Sequence, residues 1–346
     1  MPDDLHDLLK ATGRSFYLTL QVLPGAIRPQ IGLAYLLART ADTVADTEIL
    51  PVDQRLDALR QLRERILDRG SGRLNFGELA KQQGTDAERR LLAKVEESLE
   101  GLKSFSAEDQ KAMREVLAII TSGQELDLKR FANASEGKIV ALETEAELDD
   151  YTWRVAGCVG EFWSKICRAH LFPRLRLDER EFIADGIRFG KGLQLVNILR
   201  DLPADLKKGR CYLPTERLEP AGLFPETLLS PVNQGRFLPV FRHYLEQAAF
   251  YLAAGWHYTG TLPAGQIRLR LACAWPILIG RRTIEKLRGA TVLELQQRVK
   301  VSRGEVRGII LRSVLASPLP FAWRRLFPAQ PVSDPKGASS HICGLN

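Results

Sequence analysis

The chain has 346 residues, 45% of them apolar and 26% charged, with a formal net charge of +7. That mixture excludes wholesale disorder, and five scattered cysteines without CxxC spacing argue against a disulfide framework and against a zinc site. The acidic start, Met1-Pro-Asp-Asp-Leu-His-Asp7, lacks a secretory apolar run, and the longest apolar stretch, 271–280, is roughly half of what a bilayer requires. A cytoplasmic location without a transmembrane segment is expected.

Helical periodicity runs through the chain. The first clear helix, from Ile31, is apolar almost all round, as in a bundle interior. Residues 53–69 alternate apolar and charged positions at steps of three and four, an amphipathic surface helix. Further helices are predicted over 86–104, 108–131, 148–170, 178–201, 233–260, 266–288 and 303–315. Breaks fall at Pro24-Gly25, at 69–72, 209–214 and 223–233, and at Leu262-Pro-Ala-Gly265. Alternating strand signals are missing, so the fold class is all-α. Residues 1–328 read as one catalytic unit, and 329–346, rich in Pro, Ser and Gly, as a disordered tail.

Charge is uneven. Between residues 264 and 326 stand thirteen Arg or Lys and three acids. Solvated helix faces account for such a run, and so does attraction to an anionic surface such as a membrane leaflet. Nucleic acid is not expected, because no recognised binding motif accompanies the charge.

Two acidic pairs carry the chemistry. Asp42-Thr-Val-Ala-Asp46 closes the apolar helix from Ile31, and Asp201-Leu-Pro-Ala-Asp205 closes the helix before it. Residues four apart on a helix share a face, so each pair aims two carboxylates the same way. Like charges need compensation, by arginines on a surface or by a cation in a cavity. The apolar run before Asp42 favours a cavity. Around the second pair, Asn197, Asp201 and Asp205 recur at four-residue steps, interleaved with Arg200, Lys207, Lys208 and Arg210. Oxygen donors without His or Cys suit a hard cation such as Mg²⁺, and arginines suit diphosphate. Pro203 lies between the aspartates and predicts a kink or helix end before Asp205.

With these motifs, the sequence resembles the squalene and phytoene synthase family of head-to-head prenyltransferases, over about residues 12–313. Tyr35-Leu-Leu-Ala-Arg39-Thr-Ala-Asp42-Thr-Val-Ala-Asp46 is similar to the family's first aspartate-rich segment, and the run from Asn197 to Pro214 to its second. Gly13-Arg14-Ser15-Phe16 resembles the N-terminal diphosphate-contacting element. Tyr151-Thr-Trp-Arg-Val-Ala-Gly157-Cys-Val-Gly160 resembles the central segment whose tyrosine lies close to the reacting carbons. The resemblance implies a class I isoprenoid synthase-like helical bundle around a central cavity. It implies Mg²⁺ held by Asp42, Asp46, Asn197, Asp201 and Asp205. Substrate would meet Arg14, Ser15, Phe16, Arg39, Gln194, Arg200, Arg210 and Tyr212. Catalysis would rest on Tyr35, Arg39, Asp42, Tyr151 and Asp201.

The implied reaction condenses two farnesyl diphosphates to presqualene diphosphate, which NADPH then reduces to squalene. Asp42-Thr-Val-Ala-Asp46 and Cys273-Ala-Trp-Pro276 resemble the squalene branch, while Gly209-Arg-Cys-Tyr-Leu-Pro214 is nearer the phytoene form. Phytoene or dehydrosqualene synthesis, which needs no reductant, is therefore the alternative. No glycine-rich dinucleotide fingerprint is visible; the basic run 298–307 is a candidate for the nicotinamide phosphate, and the NADPH residues stay unassigned. A non-catalytic scaffold would show eroded acidic pairs, whereas these stand. A head-to-tail elongase or terpene cyclase would show a doubled aspartate, which Ala41-Asp42-Thr43 lacks. The hydrophobic product and the basic C-terminal region together imply peripheral contact with an anionic membrane.

Overall fold

The computed structural model describes residues 3–13, 16–47, 50–81, 85–294 and 299–328. Arg14, Ser15, Arg298 and the expected tail 329–346 lie outside the described residues. Helices dominate. In chain order they begin with α1 (Asp3–Thr12), α2 (Phe16–Val22), α3 (Arg28–Asp46) and α4 (Val52–Ile66). Shorter α5 (Gly77–Lys81), α6 (Asp86–Ala93) and α7 (Val95–Leu102) precede the long α8 (Ala107–Arg130). A two-residue strand β1 (Val140–Ala141) leads to α9 (Glu145–Thr152), a π-helical turn (Trp153–Gly157) and α10 (Cys158–Leu171). Then come α11 (Glu179–Lys207), β2 (Arg210–Cys211), α12 (Thr215–Leu218), α13 (Gln234–Thr261) and α14 (Ile267–Arg288). The last elements are α15 (Arg303–Ala316) and α16 (Pro320–Arg325).

Local sequence sets where helices start. Thr85, Ser106, Thr144, Asp178 and Ser302 each accept from the backbone N–H three residues on, which satisfies a donor the first helical turn leaves free. An acid stands at each of those third positions (Glu88, Asp109, Glu147, Glu181, Glu305), favourable beside the positive end of the helix dipole.

Packing centres on α11, which lies against α10, α13 and α14. One apolar cluster gathers the N-terminal helices with α10; a second gathers α11, α13 and the β2 region, and Phe189 packs against both. Along α10 the contact with α11 is backbone to backbone. A Cβ on Gly160 would stand 1.9 Å from the Gly186 carbonyl oxygen, and one on Gly190 would stand 2.1 Å from that of Ala156.

Three expectations change. The predicted helix 148–170 is interrupted by the π turn, and 86–104 divides at Lys94. Two short parallel strands appear, Val140 beside Arg210 and Ala141 beside Cys211. Pro203 does not end its helix: α11 runs to Lys207, so Asp205 lies on it. A helix-interior proline costs about 3 kcal/mol. Here Leu199, Leu202, Pro203 and Leu206 are all buried in the second cluster, and burial of one such side chain contributes about 1.5–3 kcal/mol. Packing outweighs propensity.

The α10–α11 contact makes a direct prediction. Gly160→Ala should lower the urea-unfolding free energy by about 3 kcal/mol, because carbonyl backbone cannot yield cheaply. Gly235→Ala, whose Cβ would meet nothing within 4 Å, should stay within about 0.5 kcal/mol.

Candidate active site

Helix geometry assembles the first arm. Tyr35, Arg39, Asp42 and Asp46 recur at steps of four, three and four along α3 and so share one face. An Arg39 guanidinium nitrogen, Nη1, bonds Asp42 Oδ2, and Nη2 donates to Glu88 at 3.0 Å. Gln124 Nε2 on α8 donates to the other Asp42 oxygen at 3.3 Å. Asp46, the last residue of α3, is exposed as a whole, while neighbouring atoms crowd its carboxyl. Enclosure first, and then the Asp42 charge, push its carboxyl up to about 6 against the pull of Arg210, Arg39 and Lys208. Tyr35 stacks on Phe16 with ring centroids 4.8 Å apart and donates to the Thr12 carbonyl at 3.1 Å.

The second arm is the C-terminal half of α11, where Gln194, Asn197, Asp201 and Asp205 share a face. Arg200 donates to Asp201 through Nε at 3.0 Å and through Nη2, a bidentate fork. Burial, reinforced by the Asp201 charge, raises the Asp205 carboxyl to about 7. Neither Gln194 nor Asn197 forms a side-chain hydrogen bond among the described residues, so both amides can turn to a ligand.

After α11 the chain reverses at Gly209, where φ is +76° and a Cβ would stand 2.2 Å from the Ser135 carbonyl oxygen. Only glycine fits there. The reversal lets Val140 N–H donate to Gly209 at 2.8 Å and Leu142 N–H to Cys211 at 3.1 Å. Strand periodicity then points Arg210 and Tyr212 to one side and Cys211 into the core. On that side lies Asp127 of α8. The Tyr212 hydroxyl donates to Asp127 Oδ2 at 3.1 Å, and Arg210 Nη1 stands 3.9 Å from the same oxygen. Tyr151 stacks on Tyr212 at 4.7 Å, with Phe131 edge-on to Tyr212 at 5.1 Å. Burial, aided by the Asp127 charge, drives the Tyr151 hydroxyl well above its ordinary range, so it stays protonated at neutral pH.

The predicted residues therefore divide clearly. Those on α3, α11 and β2 converge on α8, where Gln124 bonds Asp42 and Asp127 bonds Tyr212. Arg210 and Lys208 pull on Asp46, and the Asp42 charge raises Asp127 while the Asp127 charge raises Asp205. Arg14 and Ser15 lie outside the described residues, and Phe16 reaches the group through Tyr35. Cys273, part of the squalene-like segment, is buried in α14, where burial lifts its thiol to about 12; it belongs to the core. Sequence reasoning missed Asp127 and Gln124. Asp127 lies four residues past buried Gly123 and seven past buried Ile120. An acid at that point of an apolar stripe was the available signal. Burial pushes it up to about 6, and its Oδ1 is buried without a hydrogen-bond partner.

Five carboxylates on three elements, an orphaned buried oxygen and two uncommitted amides offer only oxygen atoms or amides. That donor set fits Mg²⁺, which takes one or two carboxylates together with phosphate and water oxygens. Glu181, Asp185 and His257 form a separate group of ligand atoms within 4.8 Å of one another. Its Asp185 is already bound by Arg188 at 2.9 Å and His257 at 2.6 Å, and it lies roughly 24 Å along α11 from Asp201.

The family model described as squalene/phytoene synthase matches residues 9–305. The chain belongs to this family. It is 33% identical to the presqualene diphosphate synthase of Rhodopseudomonas palustris over 62% of either chain. It is 27% identical to the squalene synthase of Schizosaccharomyces pombe, over 89% of this chain and 64% of that protein. A bifunctional lycopene cyclase/phytoene synthase of Phaeosphaeria nodorum is 29% identical over 71% of this chain and 40% of that protein. The chain thus spans less than two thirds of the length of these curated relatives. Among solved structures, TcSQS in complex with the ligand E5700 has a TM-score of 0.75 at 20% identity, covering 94% of this chain and 91% of that one. A dehydrosqualene synthase complex gives 0.63 at 21% identity, covering 90% and 96%. Both share the helical isoprenoid synthase fold described above.

The raised carboxyls of Asp46, Asp127 and Asp205 fix a sign. Each ordinarily titrates at 3.8 and here at about 6, 6 and 7, so the folded chain binds more protons than the unfolded chain between those values. Ligand-free stability should fall as pH rises through that window. Calorimetry should give a Tm about 2–4 °C higher at pH 5.5 than at pH 7.5, with added Mg²⁺ and diphosphate reversing the loss at the higher pH. Asp127→Asn keeps an acceptor for Tyr212 and should flatten this pH dependence.

Proposed function

We propose that the protein is a Mg²⁺-dependent head-to-head prenyltransferase that condenses two farnesyl diphosphates to presqualene diphosphate. The reading rests on one observation above the others: two acidic helix faces, α3 and α11, converge with arginines between them beside a stacked aromatic pair. Asp42, Asp46, Asn197, Asp201 and Asp205 would hold the metal, with Asp127 as an addition from α8. When bound, Mg²⁺ supplies neutralisation of charge developing on the leaving diphosphate oxygen.

The chain's own residues account for the other requirements. Arg39, Arg200 and Arg210 are tied to carboxylates in the ligand-free protein. Exchange of those partners for diphosphate oxygens places fixed positive charge where negative charge develops. Tyr151 and Tyr212 offer π faces to the allylic cation, and so do Tyr35 and Phe16. Carbon 1 of the first substrate bonds across the 2,3-double bond of the second; diphosphate leaves, and one proton must go. Tyr151, held protonated by burial, is a poor acceptor. The departing diphosphate is the better base.

Reduction of presqualene diphosphate to squalene with NADPH is the proposed second half, supported by Asp42-Thr-Val-Ala-Asp46. The alternative, phytoene or dehydrosqualene synthesis, is favoured by Gly209-Arg-Cys-Tyr-Leu-Pro214. Products formed from farnesyl diphosphate and Mg²⁺, with and without NADPH, separate these by gas chromatography–mass spectrometry. Squalene formed only with NADPH supports the reductive branch. A C30 hydrocarbon indifferent to NADPH supports dehydrosqualene synthesis, and phytoene from geranylgeranyl diphosphate alone supports phytoene synthesis. Asp42→Asn and Asp201→Asn should each lower turnover by roughly 10³-fold while the ligand-free Tm moves by less than about 2 °C or rises. Gross unfolding of both would make the aspartates structural and remove the metal assignment.

A further inference from the structure

The C-terminal edge of the molecule has a surface the catalytic reading does not use. Helix α15 packs antiparallel to α14: Arg282 bonds Glu305 at 2.9 Å near one end, and Trp275 bonds Ser313 at 2.9 Å near the other. Ile309, Ser313 and Ala316 are the buried face. The opposite face is apolar rather than polar. Leu311 is 61% exposed and Leu315 64%, with Val314 between them exposed as well; beyond the helix, Leu319 is exposed and Phe321 is 66% exposed. Single exposed leucines are ordinary, but five large apolar residues within eleven positions form a patch that water disfavours.

Among the described residues around this patch, every exposed charge is positive. Arg307, Arg312, Arg324 and Arg325 are exposed and pair with no acid among the described residues. Arg325 stacks on Phe321, its guanidinium carbon 4.0 Å from the ring centroid, so charge and apolar surface coincide at one point. A cavity of about 540 Å³ adjoins the patch, lined by Arg281, Arg282, Arg312 and Arg325 among others. Its acids, Glu285 and Glu305, are already engaged by Arg281, Arg282 and Lys286. Nη1 of Arg281 is buried there without a hydrogen-bond partner. No helix among the described residues is long and apolar enough to cross a membrane.

We infer that the α15–α16 edge docks on an anionic membrane surface, with Leu311, Leu315, Leu319 and Phe321 entering the interface and Arg307, Arg312, Arg324 and Arg325 meeting lipid phosphates. Charge decides between this occupant and a second copy of the chain. Two copies joined through the patch would bring two sets of unpaired guanidinium groups together, whereas an anionic leaflet neutralises one set. Apolar side chains entering the acyl boundary beneath a basic rim are the arrangement that interfacial helices use.

Flotation of the full chain with phosphatidylcholine vesicles, with and without about 30% phosphatidylglycerol, tests this. Binding to the anionic vesicles should exceed binding to the neutral ones by about tenfold or more at low salt and weaken as salt rises. Two variants report on the two halves of the surface: Leu311→Ser/Leu315→Ser/Phe321→Ser and Arg307→Gln/Arg312→Gln/Arg324→Gln. Each should retain the parent melting temperature and lose about tenfold or more of the anionic binding. Absence of wild-type binding at low salt overturns the inference, as does either variant folding normally and floating like the parent. A wild-type dimer in sedimentation velocity that the Leu311→Ser/Leu315→Ser/Phe321→Ser substitutions dissociate would assign the patch to a second copy instead. Should the triple apolar variant fail to fold, Leu315→Ser alone and the arginine variant carry the same comparison.

Discussion

Carboxylates held close together repel, and this molecule holds five of them where α3, α8 and α11 converge. Without ligand the repulsion is managed in three ways. Arginines clamp Asp42 and Asp201; tyrosine and a more distant arginine serve Asp127; and protonation relieves Asp46, Asp127 and Asp205 as their affinity for protons rises. A site in this condition is prepared for positive charge. On the function proposed above, a divalent ion with its diphosphate would replace internal clamps by external ones, and the arginines would change partner rather than position.

Holding such a site together falls to packing remote from it. The glycine contact between α10 and α11 brings two backbones within van der Waals reach, which fixes α11 along much of its length. Buried leucines around Pro203 keep the helix continuous to Asp205, and Gly209 turns the chain so that Arg210 and Tyr212 face Asp127. The chemistry is polar, but apolar surface and small residues determine where each charge stands.

How much of this could be read from the sequence follows from the range of each signal. Apolar periodicity is local, so the long helices were legible, and so were Asp42 with Asp46 and Asn197 with Asp201 and Asp205. Asp127 is one acid on a long helix, and its meaning depends on Tyr212, 85 residues away. The stack of Tyr151 on Tyr212 is equally non-local. Pro203 misled because propensity is intrinsic to a residue, whereas the burial that overrides it belongs to the tertiary structure. The exposed leucines of α15 were invisible for the same reason: an apolar residue does not announce which face its helix will bury.

The π turn at Trp153–Gly157 separates two tasks along one continuous helical rod. N-terminal to it, Tyr151 lies against Tyr212; C-terminal to it, Gly160 lies against Gly186 of α11. A π turn amounts to one residue beyond the α-helical count, and each residue rotates a helix by about 100°. The two ends are therefore phased by an inserted residue rather than by side-chain identity. The phase of this rod consequently depends on the length of the stretch more than on its composition. Conservative replacements leave the phase intact, while loss or gain of a single position would swing the tyrosine off its partner even with every motif residue retained.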